Sequence, residues 1–312
     1  MNRRRFPGGK RFAFTVFDDC DNATVANTRP FYRLLEHLGM RTTKTVWSLG
    51  AEDVHPNWVG SSTLEDPEYR DFARELQAHG FEIASHGVSM MSATRSRTLR
   101  GIELFAGTFG HPPRTHANHG DNRDNLYWLD GRFRSRLLGL LYRYRAVRNG
   151  QSSEGHVPRS PYFWGDLGHK HIDYVRGFTF PATDLLSVHP RPLYADAATP
   201  FVNFWFSACH APSVAAFNAL LRPERQERLV RAGGISIVAT HVAAGFVEHG
   251  EVRSDTRALL EALAARDGWF VPVATLLDHL RAGGLGGPLP AAERRRVELR
   301  WLFSAARRGA GS

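Results

Sequence analysis

The stretch RFAFTVFDD, residues 11–19, is a short apolar and β-branched run closed by two adjacent carboxylates, Asp18 and Asp19. It reads as a strand. The next segment, ATVANTRPFYRLLEHLG (23–39), has helical spacing and stops at Gly39. The alternation then repeats. Thr42 to Leu49 is a β-branched run, PEYRDFARELQAHG (67–80) a helix, FEIASH (81–86) a strand, and 92–110 a helix. RTHANH (114–119) reads as a further short strand. GISIVATHV (234–242), SDTRALLEALAARDG (254–268) and WFVPV (269–273) read as strand, helix and strand. Repeated βα units imply a parallel sheet with helices outside, either a barrel or a doubly wound sheet. Residues 121–210 are less regular. They hold an arginine- and aromatic-rich helical stretch (123–146), a loop, and the strand pieces GFTF and FVNFWF.

Ionisable residues gather where these strands end. Asp18 and Asp19 follow the first, His86 ends FEIAS, His119 ends RTHAN and His241 ends ISIVAT. Parallel α/β folds bring all strand C-termini to one face, so these side chains are expected together. Imidazoles and carboxylates from separate strands suit a mononuclear divalent site with an open water position. A second carboxylate beside the first supplies a proton acceptor for the bound water.

The segments FAFTVFDDCDNAT, GFEIASHG, HPPRTHANHG and ISIVATH resemble, in order and spacing, the motifs of polysaccharide deacetylases, carbohydrate esterase family four. The resemblance covers about residues 10–280. It implies a distorted (β/α) barrel and metal-dependent hydrolysis of N-acyl groups on a small-molecule or glycan substrate. It further implies Asp18 as catalytic base, Asp19 and His86 as metal ligands, and His241 as general acid. The family carries a second histidine about four residues after the first. Met90 and Met91 stand there instead, and a thioether suits soft metals better than zinc. His119 is the first expected substitute ligand and His241 the next. The expected cofactor is one divalent ion, zinc, with manganese or cobalt as alternatives. Trp164, Asp166 and Asn118 are expected on the substrate side. A catalytically inactive carbohydrate-binding or scaffold protein of the same fold is the alternative reading.

Composition bounds the rest. The 312 residues are 42% hydrophobic and 23% charged, which excludes a disordered or collagen-like chain. No apolar run approaches the roughly 20 residues of a membrane-spanning helix. With no signal-peptide pattern and only Cys20 and Cys209, the expected address is the cytoplasm. The net charge of +9 lies wholly in the tails: +5 in residues 1–11 and +4 in 291–312. Residues 12–290 balance at 29 basic against 29 acidic, so no nucleic-acid groove is expected. The organisation expected is a basic tail (1–10) and one catalytic domain (11–281) with an irregular insertion at about 121–210. A Gly-rich linker and basic helix (282–312) follow. His37, His55, His79, His111, His249 and His279 read as helix-surface or loop residues.

Overall fold

Every residue of strand β1 (Phe12–Asp18) is buried. Its alternating aromatic, small and β-branched side chains fit a strand packed on both faces, as the central position of a parallel sheet requires. The computed structural model describes residues 6–52 and 60–308, so His55 and the tail arginines Arg3, Arg4 and Arg5 lie outside the described residues.

The other strands are β2 (Thr43–Val46), β3 (Glu82–Ser85), β4 (Thr115–Ala117), β5 (Tyr174–Phe180), β6 (Leu193–Tyr194), β7 (Phe204–His210), β8 (Ile235–Thr240), β9 (Val247–Glu248), β10 (Glu251–Val252) and β11 (Gly268–Phe270). Seven of them close a parallel barrel in the order β1-β2-β3-β4-β5-β7-β8 and back to β1. Closure runs through the long β1–β8 ladder, Ala13 to Asp18 against Ile235 to Thr240. The opposite edge of β1 is divided. Phe12 to Phe14 pair with β11, and only Phe17 and Asp18 pair with β2. That division distorts the barrel, as the sequence led one to expect. Strand β6 adds antiparallel to β7.

Around the barrel run α1 (Val25–His37), α2 (Pro67–Ala78), α3 (Arg95–Phe109), α4 (Arg136–Arg148), α5 (Gly165–His171), α6 (Leu185–Val188), α7 (Val214–Leu220), α8 (Pro223–Ala232), α9 (Ser254–Ala264), α10 (Val273–Ala282) and α11 (Ala291–Arg308). Helix α1 starts where Thr24 and Asn27 exchange side-chain to backbone hydrogen bonds, a reciprocal cap. It buries Phe31, Tyr32 and Leu35 against the barrel.

Two stretches differ from the sequence expectation. Of WFVPV only Trp269 and Phe270 lie in a strand, because Pro272 has no N–H for a ladder and stands at the N-cap of α10 instead. The helical stretch 123–146 contains a short 3₁₀ turn (Leu129–Arg132) and α4, which starts only at Arg136. The C-terminal segment is docked. Val297 and Trp301 of α11 enter an apolar cluster with Phe133, Phe178 and Phe180. The fully buried Glu298 carboxylate accepts hydrogen bonds from the Arg134 and Ser135 N–H groups, at 2.7 and 3.1 Å, and from Arg294 Nε at 2.8 Å.

Candidate metal centre

Beyond the end of β1, the run Asp18-Asp19-Cys20-Asp21 sends alternate side chains to opposite sides, the two-residue period of extended backbone. Asp18 turns outward to the helix layer. Its Oδ2 accepts from Lys44 Nζ at 3.1 Å and Tyr32 Oη at 2.8 Å, and its Oδ1 from the Val242 N–H at 2.8 Å. Asp18 and Lys44 are both fully buried. Cys20 is buried in the apolar core, and burial raises its thiol pKa. Asp19 and Asp21 turn the other way, to the strand ends.

Asp21 is the centre of the cluster. His119 Nε2 lies 2.9 Å from its Oδ1, and His86 Nε2 and His241 Nε2 lie 3.3 and 3.1 Å from its Oδ2. One donor atom each from Asp21, His86 and His119 falls within a 4.8 Å sphere of mutual distances. Asp19 sits beside them, held by both terminal nitrogens of Arg176 at 2.7 and 2.8 Å, and His241 Nε2 is 3.9 Å from it. Such a two-point clamp fixes the carboxylate's plane.

The supports are as specific as the ligands. His86 Nδ1 contacts the Ala117 carbonyl at 3.2 Å, and a carbonyl can only accept, so this ring nitrogen carries the proton. In the neutral ring this leaves Nε2 as the donor atom that faces a carboxylate oxygen 3.3 Å away. A nitrogen and a carboxylate oxygen at that separation can share one cation. The Trp47 indole stacks on His86 at 5.0 Å and meets His119 edge-on at 4.8 Å, fixing both rings. The His119 backbone N–H donates to Asn125 Oδ1, and its buried Nδ1 has no hydrogen-bond partner. Two imidazoles and a carboxylate are a donor set for a borderline divalent ion such as zinc. The residues present fit the ion that the sequence resemblance implies.

Electrostatics follow from crowding. Burial raises the Asp19 pKa, but the Arg176 charge, then those of His86 and His241, outweigh it and hold the carboxyl below its ordinary value. Asp21 is likewise pulled far down against burial, by the His86 charge and by hydrogen bonds with the three imidazoles. Burial works to lower His241, yet its Asp21 hydrogen bond and the Asp19 and Asp21 charges lift it to about 9.

No family model and no curated protein matches the chain. Solved structures do. One described as a polysaccharide deacetylase from Mycobacterium smegmatis covers 93% of this chain and 97% of its own, at 15% identity and a TM-score of 0.51. One so described from Pseudomonas aeruginosa covers 89% and 93%, at 13% identity and a TM-score of 0.50. An allantoinase structure covers 89% and 92%, at 12% identity and a TM-score of 0.49. The fold is that of the polysaccharide deacetylases.

On this deacetylase fold, the structure gathers His86, His119, His241 and Asp19, but assigns the carboxylates differently from the sequence expectation. Asp18, expected as base, is sealed against Lys44 and Tyr32 on the far side of the strand. Asp19, expected as a metal ligand, is occupied by Arg176. Asp21 takes the place among the imidazoles. The expected substrate-side residues have structural partners instead. Asn118 pairs its amide with both backbone groups of Leu126, at 2.9 Å each. Trp164 is buried, with Nε1 donating to the Asp124 carbonyl at 2.6 Å. Asp166 forms a two-point surface pair with Arg95. Met90 packs against the apolar core.

Sequence reading overlooked Asp21 and Arg176. Arg176 left a signal: it is the one charged residue in the seven of β5. A buried charge in an apolar strand needs a partner, and Asp19 is that partner.

Proposed function

We propose that the protein is a hydrolase of the deacetylase type, cleaving an amide C–N bond of an N-acylated, carbohydrate-related small molecule or glycan. The observation that carries this reading is the convergence of Asp21, His86 and His119 within 4.8 Å, beside the clamped Asp19. Asp21, His86 and His119 would hold one divalent ion, with zinc the first choice and manganese or cobalt the others. When bound, such an ion polarises a carbonyl and makes water more acidic. Asp19 takes the proton from water as the water oxygen attacks the carbonyl carbon, and Arg176 keeps that carboxylate ionised and oriented. His241, on the more open side at 30% side-chain exposure, gives a proton to the departing nitrogen. The products are a carboxylic acid and an amine. Trp47 keeps the two imidazoles in register. The inactive-scaffold alternative rested on the histidine replaced by Met90 and Met91. His119 offers an imidazole to the same cluster, which favours the hydrolase.

Metal analysis of protein purified without chelator tests the reading. Wild type should carry about one equivalent, or take it up on adding Zn²⁺, Mn²⁺ or Co²⁺. Asp21→Ala and His119→Ala should each lower it as much as His86→Ala does. Asp19→Asn should keep the metal and lose hydrolysis of N-acetylated sugars. Wild type that neither carries nor gains metal returns the protein to the scaffold alternative.

A further inference from the structure

Helix α4 contributes nothing to the centre, yet its rotation is fixed. Leu138 and Ala146 are buried, and between them Tyr142 stacks on Phe133 and Trp301, with ring centroids 4.6 and 5.7 Å away. The opposite side is the anomaly. Leu137, Leu140, Leu141, Tyr144 and Val147 are 67%, 67%, 56%, 68% and 72% exposed. At 3.6 residues per turn these five positions form one stripe directly away from the docked face. Arg136 and Arg143 run along one edge of the stripe and Arg148 closes its C-terminal end, all exposed. Residues 133–149 contain five arginines and no aspartate or glutamate. On α11, Phe303 is 64% exposed and Arg295 and Arg296 are exposed as well.

We propose that this face of α4 docks onto the surface of an anionic lipid bilayer. Large apolar side chains held out to water in a continuous row mark a contact surface. The bordering charge names its partner: a border that carries arginines and no acidic residue is complementary to a negative surface. A second copy of the chain is a poor occupant, because a two-fold contact through α4 would set one row of arginines against the other. Leucines and a tyrosine flanked by arginines match a helix lying in the interface. Its apolar side chains enter the acyl boundary while the guanidinium groups stay with the phosphates. No helix among the described residues is long and apolar enough to cross a membrane.

Co-sedimentation of the full chain with vesicles tests this. Wild type should bind vesicles of phosphatidylcholine and phosphatidylglycerol in equal parts, bind phosphatidylcholine alone weakly, and lose affinity as salt rises. Arg136→Gln with Arg143→Gln should weaken binding about 25-fold, from roughly fivefold for each arginine at the surface. Leu140→Ser with Leu141→Ser should weaken it at least about tenfold. Both variants should keep the wild-type melting temperature, since these side chains face water. Three results overturn the proposal. They are wild type that ignores anionic vesicles, variants that bind like wild type, and a wild-type dimer in solution that the leucine variant converts to monomer.

Discussion

Replacing Asp18 by asparagine separates a structural carboxylate from a catalytic one. The side chain keeps its shape, and one oxygen still accepts the Val242 N–H. The amide nitrogen, however, now meets Lys44 Nζ, which stood 3.1 Å from the carboxylate, donor against donor. Lys44 is fully buried, and what remains beside it, the faces of Tyr32 and Tyr69 at 5.5 and 5.7 Å and the Tyr69 hydroxyl, carries no full negative charge. Leaving one partner of a buried pair uncompensated costs about 3–5 kcal/mol. At roughly 2.1 cal/mol/K per residue, 312 residues give an unfolding entropy of about 0.66 kcal/mol/K. The melting temperature should then fall by about 5–8 °C. Metal content should not change, because Lys44 and Tyr32 lie outside the cluster and the Val242 N–H keeps its oxygen. Adding Lys44→Met removes the stranded ammonium, so the double variant should cost at least about 1 kcal/mol less than the sum of the singles. The assays are thermal unfolding of the four proteins of this cycle, with metal analysis of each. Asp18→Asn that melts like wild type but loses metal or hydrolysis would refute the reasoning and return Asp18 to the reacting groups.

Three further outcomes follow from named contacts. Gly101 of α3 faces the loop after His86, and an added Cβ would lie 2.5 Å from Val88 Cβ. Gly101→Ala should therefore destabilise the protein by about 1–2 kcal/mol in urea titration, despite alanine's better helix propensity, and should loosen metal binding. Glu298→Ala strips two backbone N–H groups and Arg294 of their acceptor, so a loss of about 3 kcal/mol and easier proteolysis of α11 are expected. Burial, reinforced by Arg294 and Arg300, pushes the His189 pKa down to about 3. Its neutral form is thus the folded one, the unfolded chain binds the extra proton below about 6.5, and stability falls as pH drops. Between pH 6.5 and 5 the loss at this site is about 2 kcal/mol, and His189→Asn should flatten the stability–pH curve by that amount.

The elements legible in the sequence were those whose pattern is local. β1, β8, α1, α2 and α9 announce themselves by period, cap and stop, and the ends of strands gave His86, His119 and His241. Residues 121–135 follow no period because distant side chains hold their backbone: Asn118 clasps Leu126, and Ser153 Oγ receives the Trp128 N–H. The same lack of a local signal hid Arg176, whose partner is 157 residues away.

The carboxylates teach a finer lesson. Adjacent residues on extended chain send their side chains to opposite faces, and Asp18 and Asp19 keep that alternation at the end of β1. One of Asp18 and Asp19 had to face the helices, and β2 decides which. Lys44 lies directly across from Asp18 in the ladder, buried and needing an anion. Asp18 meets that need, which sends Asp19 inward, and the same alternation brings Asp21 inward two residues later. The inward positions expected of residues 18 and 19 are therefore taken by 19 and 21. Arg176 is the counter-charge beside Asp19, and three imidazoles surround Asp21. The shift of register was implicit in a buried lysine on the neighbouring strand, a residue whose meaning appears only once the pairing of β1 with β2 is known.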